Sequence, residues 1–131
     1  MKLALSYRNI GMDHSFIEIH WTSGSMDEAR KVCRFLVQER LVACAQIVPW
    51  IESVFMWDNK LDVSQETKVL LKTRADKYDR IRDVIMQNCT YQIPEITFFN
   101  IAGGNQEYLD WIKESTPDHF STSIHESSNE G

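Results

Sequence analysis

At 131 residues, 43% of them hydrophobic, the chain is long enough to bury one sizeable core. Its formal charge of −5 opposes phosphate backbones and anionic bilayers, so neither a nucleic-acid nor a membrane partner is expected. No apolar run approaches the roughly 18 residues of a transmembrane helix, the first residues lack a signal-peptide core, and the 3 cysteines form no C-x-x-C pair, so the chain reads as a cytoplasmic protein with reduced thiols.

A first strand is expected over residues 16–21. Ser25 and Glu28 then have the spacing of a capping box, and behind them Met26, Ala29, Val32, Cys33, Leu36 and Val37 recur at helical intervals. The stretch from Arg40 to Arg74 reads as two unusually long strands around a tight turn at Asp58-Asn59-Lys60. After the turn Leu61, Val63, Val69 and Leu71 share one phase, whereas Lys60, Asp62, Ser64, Glu66, Lys68 and Lys72 share the other, the mark of a strand with one buried face. A strand of about fifteen residues spans roughly 50 Å, against about 20 Å for a helix of about thirteen. The hairpin therefore overhangs the helices beside it, and its surplus apolar side chains and open edges call for another subunit. Trp50, Phe55 and Trp57 are the anchors expected at that contact. Pro49 cannot donate to the ladder, so a bulge or a break is expected there.

Asp76 is placed to cap a second helix whose inner stripe is Tyr78, Ile81, Ile85 and Cys89. Pro94 ends the connection, residues 96–101 form a last strand, and Gly103-Gly104 breaks it. Asn105 then begins a short third helix carrying Tyr108, Leu109, Trp111 and Ile112. The order β-α-β-β-α-β is that of an α+β, ferredoxin-like sandwich, here with a long central hairpin and a short C-terminal helix. A single domain over residues 1–131 is expected, with an ordered core at about 16–117 and flexible ends at 1–14 and 121–131.

Five stretches carry a family resemblance: Arg40 to Pro49 (RLVACAQIVP), Val54 to Leu61 (VFMWDNKL), Val69 to Arg74 (VLLKTR), Tyr91 to Ile96 (YQIPEI) and Gly104 to Ile112 (GNQEYLDWI). In this order, from about Phe16 to Ser115, the chain resembles the CutA divalent-cation tolerance family. The resemblance implies a fold similar to the PII signalling proteins, a tight homotrimer built through the long hairpins, and a part in tolerance of copper and other divalent cations. It also implies that Trp57, Lys72, Arg74, Tyr91 and Glu95 line a cleft between subunits. Two departures stand out. The family's His-Pro-Tyr-Glu run is here Cys89-Thr90-Tyr91-Gln92, and the usual turn glycine is Asn59.

The candidate ligands for copper or another divalent cation are Cys44, Cys89, Cys33 and His20. Each has a plainer reading. Cys44 lies between two alanines and Cys33 on an apolar helix stripe, where free cysteine is usually a small buried hydrophobe. Cys89 ends its helix and is the more accessible thiol, and His20 can face solvent or sheet. No His pair has the i, i+4 spacing of a helical metal site. Glu95 is expected to pair with Lys72 or Arg74, an ion pair that holds a corner together as readily as it does chemistry. With no G-x-S-x-G nucleophile and no RNP pattern, the chain reads as a metal-binding protein rather than an enzyme or RNA binder. A small-ligand signalling module and a bare trimeric scaffold remain the alternatives.

Overall fold

The computed structural model describes residues 15–118. The expected flexible ends, 1–14 and 121–131, lie outside the described residues, as do His14, His119 and His125. The elements are β1 (Phe16–Ser23), α1 (Met26–Gln38), β2 (Cys44–Trp57), β3 (Lys60–Arg74), α2 (Tyr78–Asn88), β4 (Ile96–Asn100) and α3 (Gln106–Ser115), with a single 3₁₀ turn, Ala75–Lys77, before α2. The sheet has the order β2-β3-β1-β4, and every neighbouring pair is antiparallel. This is the ferredoxin-like arrangement.

One face of the sheet builds the core. Ile17, Ile19 and Trp21 of β1 and Val69 and Leu71 of β3 meet Ala29, Val32, Cys33 and Leu36 of α1 and Ile81 and Ile85 of α2. Period two on the strands and period 3.6 on the helices bring these residues onto facing surfaces. At the start of α1 the Ser25 Oγ accepts from the Glu28 N–H at 3.1 Å, one half of a capping box. The Glu28 carboxylate does not return the bond. It accepts instead from the Ser23 hydroxyl (2.6 Å) and the Thr90 N–H (3.0 Å), which ties α1 to the α2–β4 connection. Asp76 does not cap α2 either. It sits in the 3₁₀ turn facing Arg74 at 2.9 Å, and Lys77 occupies the cap position without a side-chain cap bond, its ammonium donating instead to the Pro117 carbonyl at 2.9 Å. Asn105 holds the cap position of α3 but makes no side-chain cap bond.

The hairpin behaves as its length requires. Pairing of β1 with β3 ends at Ser23 and Thr67, whereas β2 and β3 continue together from Ile51 and Glu66 out to Trp57 and Lys60. Beyond Thr67 the sheet is a two-stranded arm. Its turn is Asp58-Asn59, with φ of 52° and 63°, the left-handed pair that a two-residue turn needs and that Asp and Asn tolerate. Lys60, expected in the turn, belongs to the ladder opposite Trp57.

The register between β2 and β3 shifts between Val48 and Ile51, so Pro49 marks a bulge. The Pro49 carbonyl accepts from the Thr67 hydroxyl at 3.1 Å. One extra residue inverts the phase of everything after it. Before the bulge Ala45 and Ile47 lie opposite Leu71 and Val69; after it Val54 and Met56 lie opposite Val63 and Leu61. The arm thus carries an apolar face continuous with the core face, yet none of the described helices covers it. Leu61 and Val63 remain 70% and 54% exposed.

Candidate functional site

The sheet face turned away from α1 and α2 is polar. Antiparallel registers set its side chains in cross-strand rows: Cys44, Lys72, Glu18 and Phe99, then Gln46, Leu70, His20 and Thr97, then Val48, Lys68 and Thr22. Glu95, one residue before β4, closes the last row. The Lys68 ammonium donates to its Oε1 at 2.8 Å, the Thr22 hydroxyl to the same oxygen at 2.9 Å, and the Thr97 hydroxyl to Oε2 at 3.0 Å. Burial alone would raise this carboxyl, but the bonds from Lys68, Thr22 and Thr97 outweigh it and hold Glu95 below the ordinary carboxylate range.

Further along, the Lys72 Nζ donates to the Gln46 amide oxygen at 2.5 Å and stands 3.8 Å from Glu18 Oε1. The His20 Nε2 meets Glu18 Oε2 at 2.7 Å, and its imidazole lies 4.7 Å from the Phe99 ring, centroid to centroid. α3 reaches this face through Tyr108, which hydrogen-bonds Cys44; burial first and then Cys44 push the Tyr108 phenol up. A Lys–Glu–His–Lys sequence of this kind can bind polar groups or a facing polar surface. It holds no nucleophile activated by a base.

Glu95 pairs with Lys68, and so with neither Lys72 nor Arg74 as expected. The reason is register. β1 stands between β3 and β4, and Trp21 faces Ile96 on one side and Val69 on the other, which aligns Glu95 with Thr22 and Lys68. Arg74 lies at the far end of β3, where it donates to Asp76 (2.9 Å) and Asp118 (2.8 Å). Desolvation works against its charge, but those two carboxylates prevail and raise its pKa.

Tyr91 braces the root of the arm. Its hydroxyl bonds Glu66 and Ser64 of β3, just past the last β1–β3 pair. Burial, and then the Glu66 bond, push its pKa up to about 12. The ring packs over Gly24 so closely that a Cβ there would stand 3.1 Å from Cε1. Trp57 is at the arm's tip, next to the turn. Within one protomer, therefore, Trp57, Tyr91, Lys72, Arg74 and Glu95 occupy separate places.

The metal candidates are also apart. Cys33 lies in the core, and burial pushes its thiol up to about 12, which keeps it protonated. Cys89 ends α2; burial and the nearby Glu28 raise its pKa, and its Sγ faces the Tyr91 carbonyl at 3.6 Å. Cys44 and His20 share the open face but stand in different rows on strands separated by β3. Among the described residues no group of three or more His, Cys, Asp and Glu side chains is placed to hold a metal ion. The described donors of one protomer do not fit a metal. Sequence reasoning passed over Lys68, Thr22 and Glu18 as partners, although their strand phase with Lys72 and His20 was readable; Tyr108 left no such signal.

A ferredoxin-like sheet with its helices on one face, a projecting two-stranded arm and a polar open face defines a small α+β protein. The particular lineage follows from comparison. The chain belongs to the family described as CutA1 divalent ion tolerance protein, whose profile matches residues 17–115. It is similar to the divalent-cation tolerance protein CutA of Thermus thermophilus, 38% identical over 95 residues, which are 72% of this chain and 92% of that one. It is also similar to the chloroplastic protein CutA of Arabidopsis thaliana, 35% identical over 100 residues, 76% of this chain. The chain spans 55% of the length of that plant relative and 56% of a rice one. Among solved structures, CutA1 from Shewanella sp. SIB1 superposes with a TM-score of 0.78 at 31% identity, covering 80% of this chain and 98% of that one. Among the described residues no helix is long and apolar enough to cross a membrane.

Proposed function

We propose that the protein acts in divalent-cation tolerance, chiefly of copper, as a homotrimer that binds its cation rather than transforming a substrate. The observation that carries the assembly is the arm. A two-stranded ribbon is marginal alone in water, and this one holds Val54, Met56, Trp57, Leu61 and Val63 more than half exposed, with Trp50 beside the bulge. Such a surface is stable when copies cover one another's arms. Phe55, on the arm's other face with Trp57, adds to the contact.

The cation contact belongs to the assembly and not to the protomer, because the described residues of one protomer do not bring the candidate donors together. The open face supports this reading: Cys44, Glu18 and His20 are half-buried there and available to a facing copy. Cys33 is excluded by its burial. The three free thiols are consistent with a reducing compartment such as the cytoplasm.

The test is calorimetric titration of the reduced, metal-free protein with Cu(I), Cu(II) and Zn(II), with mass measured in the same samples by light scattering. Saturable binding by a trimer, weakened in Cys44→Ser or His20→Ala and unchanged in Cys33→Ser, is the expected result. A stable monomer overturns the assembly. Trimers with only weak, non-stoichiometric binding overturn metal binding in favour of a small-ligand module or scaffold.

A further inference from the structure

The outer face of α1 is the most unusual charged surface left unused by the reading above. Ala29, Val32, Cys33 and Leu36 take the inner stripe. The opposite stripe is Asp27, Arg30, Lys31, Arg34, Phe35 and Gln38, lining a shallow groove of about 640 Å³. Three cations thus stand within two helical turns, on a chain whose net charge is −5. The single carboxylate of the stripe, Asp27, is almost fully exposed and reaches Arg30 only at 4.0 Å. Among the described residues no ion pair is formed by Lys31 or Arg34.

Helix stability accounts for only part of this pattern: Asp27 stands three residues before Arg30 and four before Lys31, where opposite charges support a helix, but it is one carboxylate against three cations. Arg30 and Arg34 are four residues apart and Lys31 and Arg34 three, so like charges are neighbours on the helix surface and repel. None of the cations lies in the last turn, where the helix dipole would favour it. A merely solvated face would interleave carboxylates. Phe35, among these cations, is 45% exposed, and an aromatic side chain gains little by standing in water.

We propose that this stripe is a docking surface for an acidic peptide segment of a partner protein, the cations pairing with its carboxylates and Phe35 receiving one apolar side chain. Charge complementarity selects the partner's sign. The overall negative charge selects a short peptide over a long polyanion or a charged bilayer, because a peptide lies on the stripe alone while an extended surface also meets the repulsive remainder. The proposal does not depend on the trimer. If the protein is trimeric, three copies of the stripe add avidity for a repeated segment.

The probe is a fluorescein-labelled twelve-residue peptide of alternating glutamate and leucine, with a lysine–leucine peptide of equal length as control. Anisotropy is read on the full chain at low and at high salt. The expected result is saturable binding of the acidic peptide only, weakened at least tenfold by the triple variant Arg30→Gln, Lys31→Gln, Arg34→Gln and severalfold by Phe35→Ala. Amide chemical-shift changes, mapped on the unaltered protein, should centre on residues 27–38, so the conclusion survives even if a variant folds poorly. Equal binding by the triple variant, or shifts centred elsewhere, overturns the proposal. So does preferential binding of a single-stranded RNA or phosphatidylserine vesicles. Binding that appears only after deletion of residues 119–131 would make the chain's own tail the occupant and overturn the external partner.

Discussion

Replacing Trp57 by alanine tests whether the arm is the assembling element. In the protomer this side chain is 53% exposed and lies next to the turn, far from the core cluster. A tryptophan buries up to roughly 200 Å², so about 110 Å² is left for a neighbour to cover, worth about 2.7 kcal/mol at ~25 cal/mol/Å². If each subunit of a trimer covers one such surface, the loss is roughly 8 kcal/mol per trimer, nearly a millionfold in its association constant. Because three chains dissociate together, the concentration at half-assembly should rise about a thousandfold. Sedimentation equilibrium over a wide dilution series measures this directly, with circular dichroism showing the protomer fold intact. A variant that dissociates over the same concentrations as the parent would refute the argument that the overhang is covered by other copies.

Gly24→Ala should destabilise the fold by about 1–2 kcal/mol, since the new methyl meets a Tyr91 ring that its hydroxyl bonds prevent from moving aside. In a Tyr91→Ala background the same change should be close to neutral, and urea unfolding of the double-mutant cycle reads the difference. Tyr91 also sets an alkaline limit. Its folded pKa, about 12, lies above the unfolded value near 10, so its contribution is complete below pH ~10 and is lost as pH rises towards ~12; unfolding midpoints of Tyr91→Phe should lack that loss. Glu95 has the opposite sign. Its folded pKa is depressed, so its contribution is present above pH ~4.3 and fades as pH falls, by less than ~1 kcal/mol for a pair this exposed; Glu95→Gln should flatten the acid limb of the stability curve. Cys33 should resist iodoacetamide at pH 8 until the protein unfolds, because its thiol is buried and pushed up to about 12. Its rapid alkylation in the native state, followed by mass spectrometry, would contradict the core position.

Local pattern carried much of this protein. Strand alternation on β3 marked Val69 and Leu71 as inward, helical spacing marked the α1 stripe, and Pro49 marked a place where the ladder could not continue. Each of these is a rule about neighbours in sequence, so it survives without knowledge of the fold. Even the overhang of the hairpin follows from rise per residue. The polar site did not follow in the same way. Glu95 meets Lys68 and not Lys72 because β1 stands between β3 and β4 in one register, and a shift of four residues on one strand exchanges one lysine for the other. Glu28 leaves the capping box for nearby Ser23 and for Thr90, which is distant in the chain, and Asp76 leaves α2 for its near neighbour Arg74, because the folded backbone gives those donors the better placement. Cys44 and Cys33 both read in sequence as small buried hydrophobes, yet Cys44 lies on the open face beside Tyr108 while Cys33 is in the core on the inner stripe of α1. Hydrogen bonds and burial depend on which strands lie side by side, and that arrangement is a property of the closed sheet rather than of any segment within it.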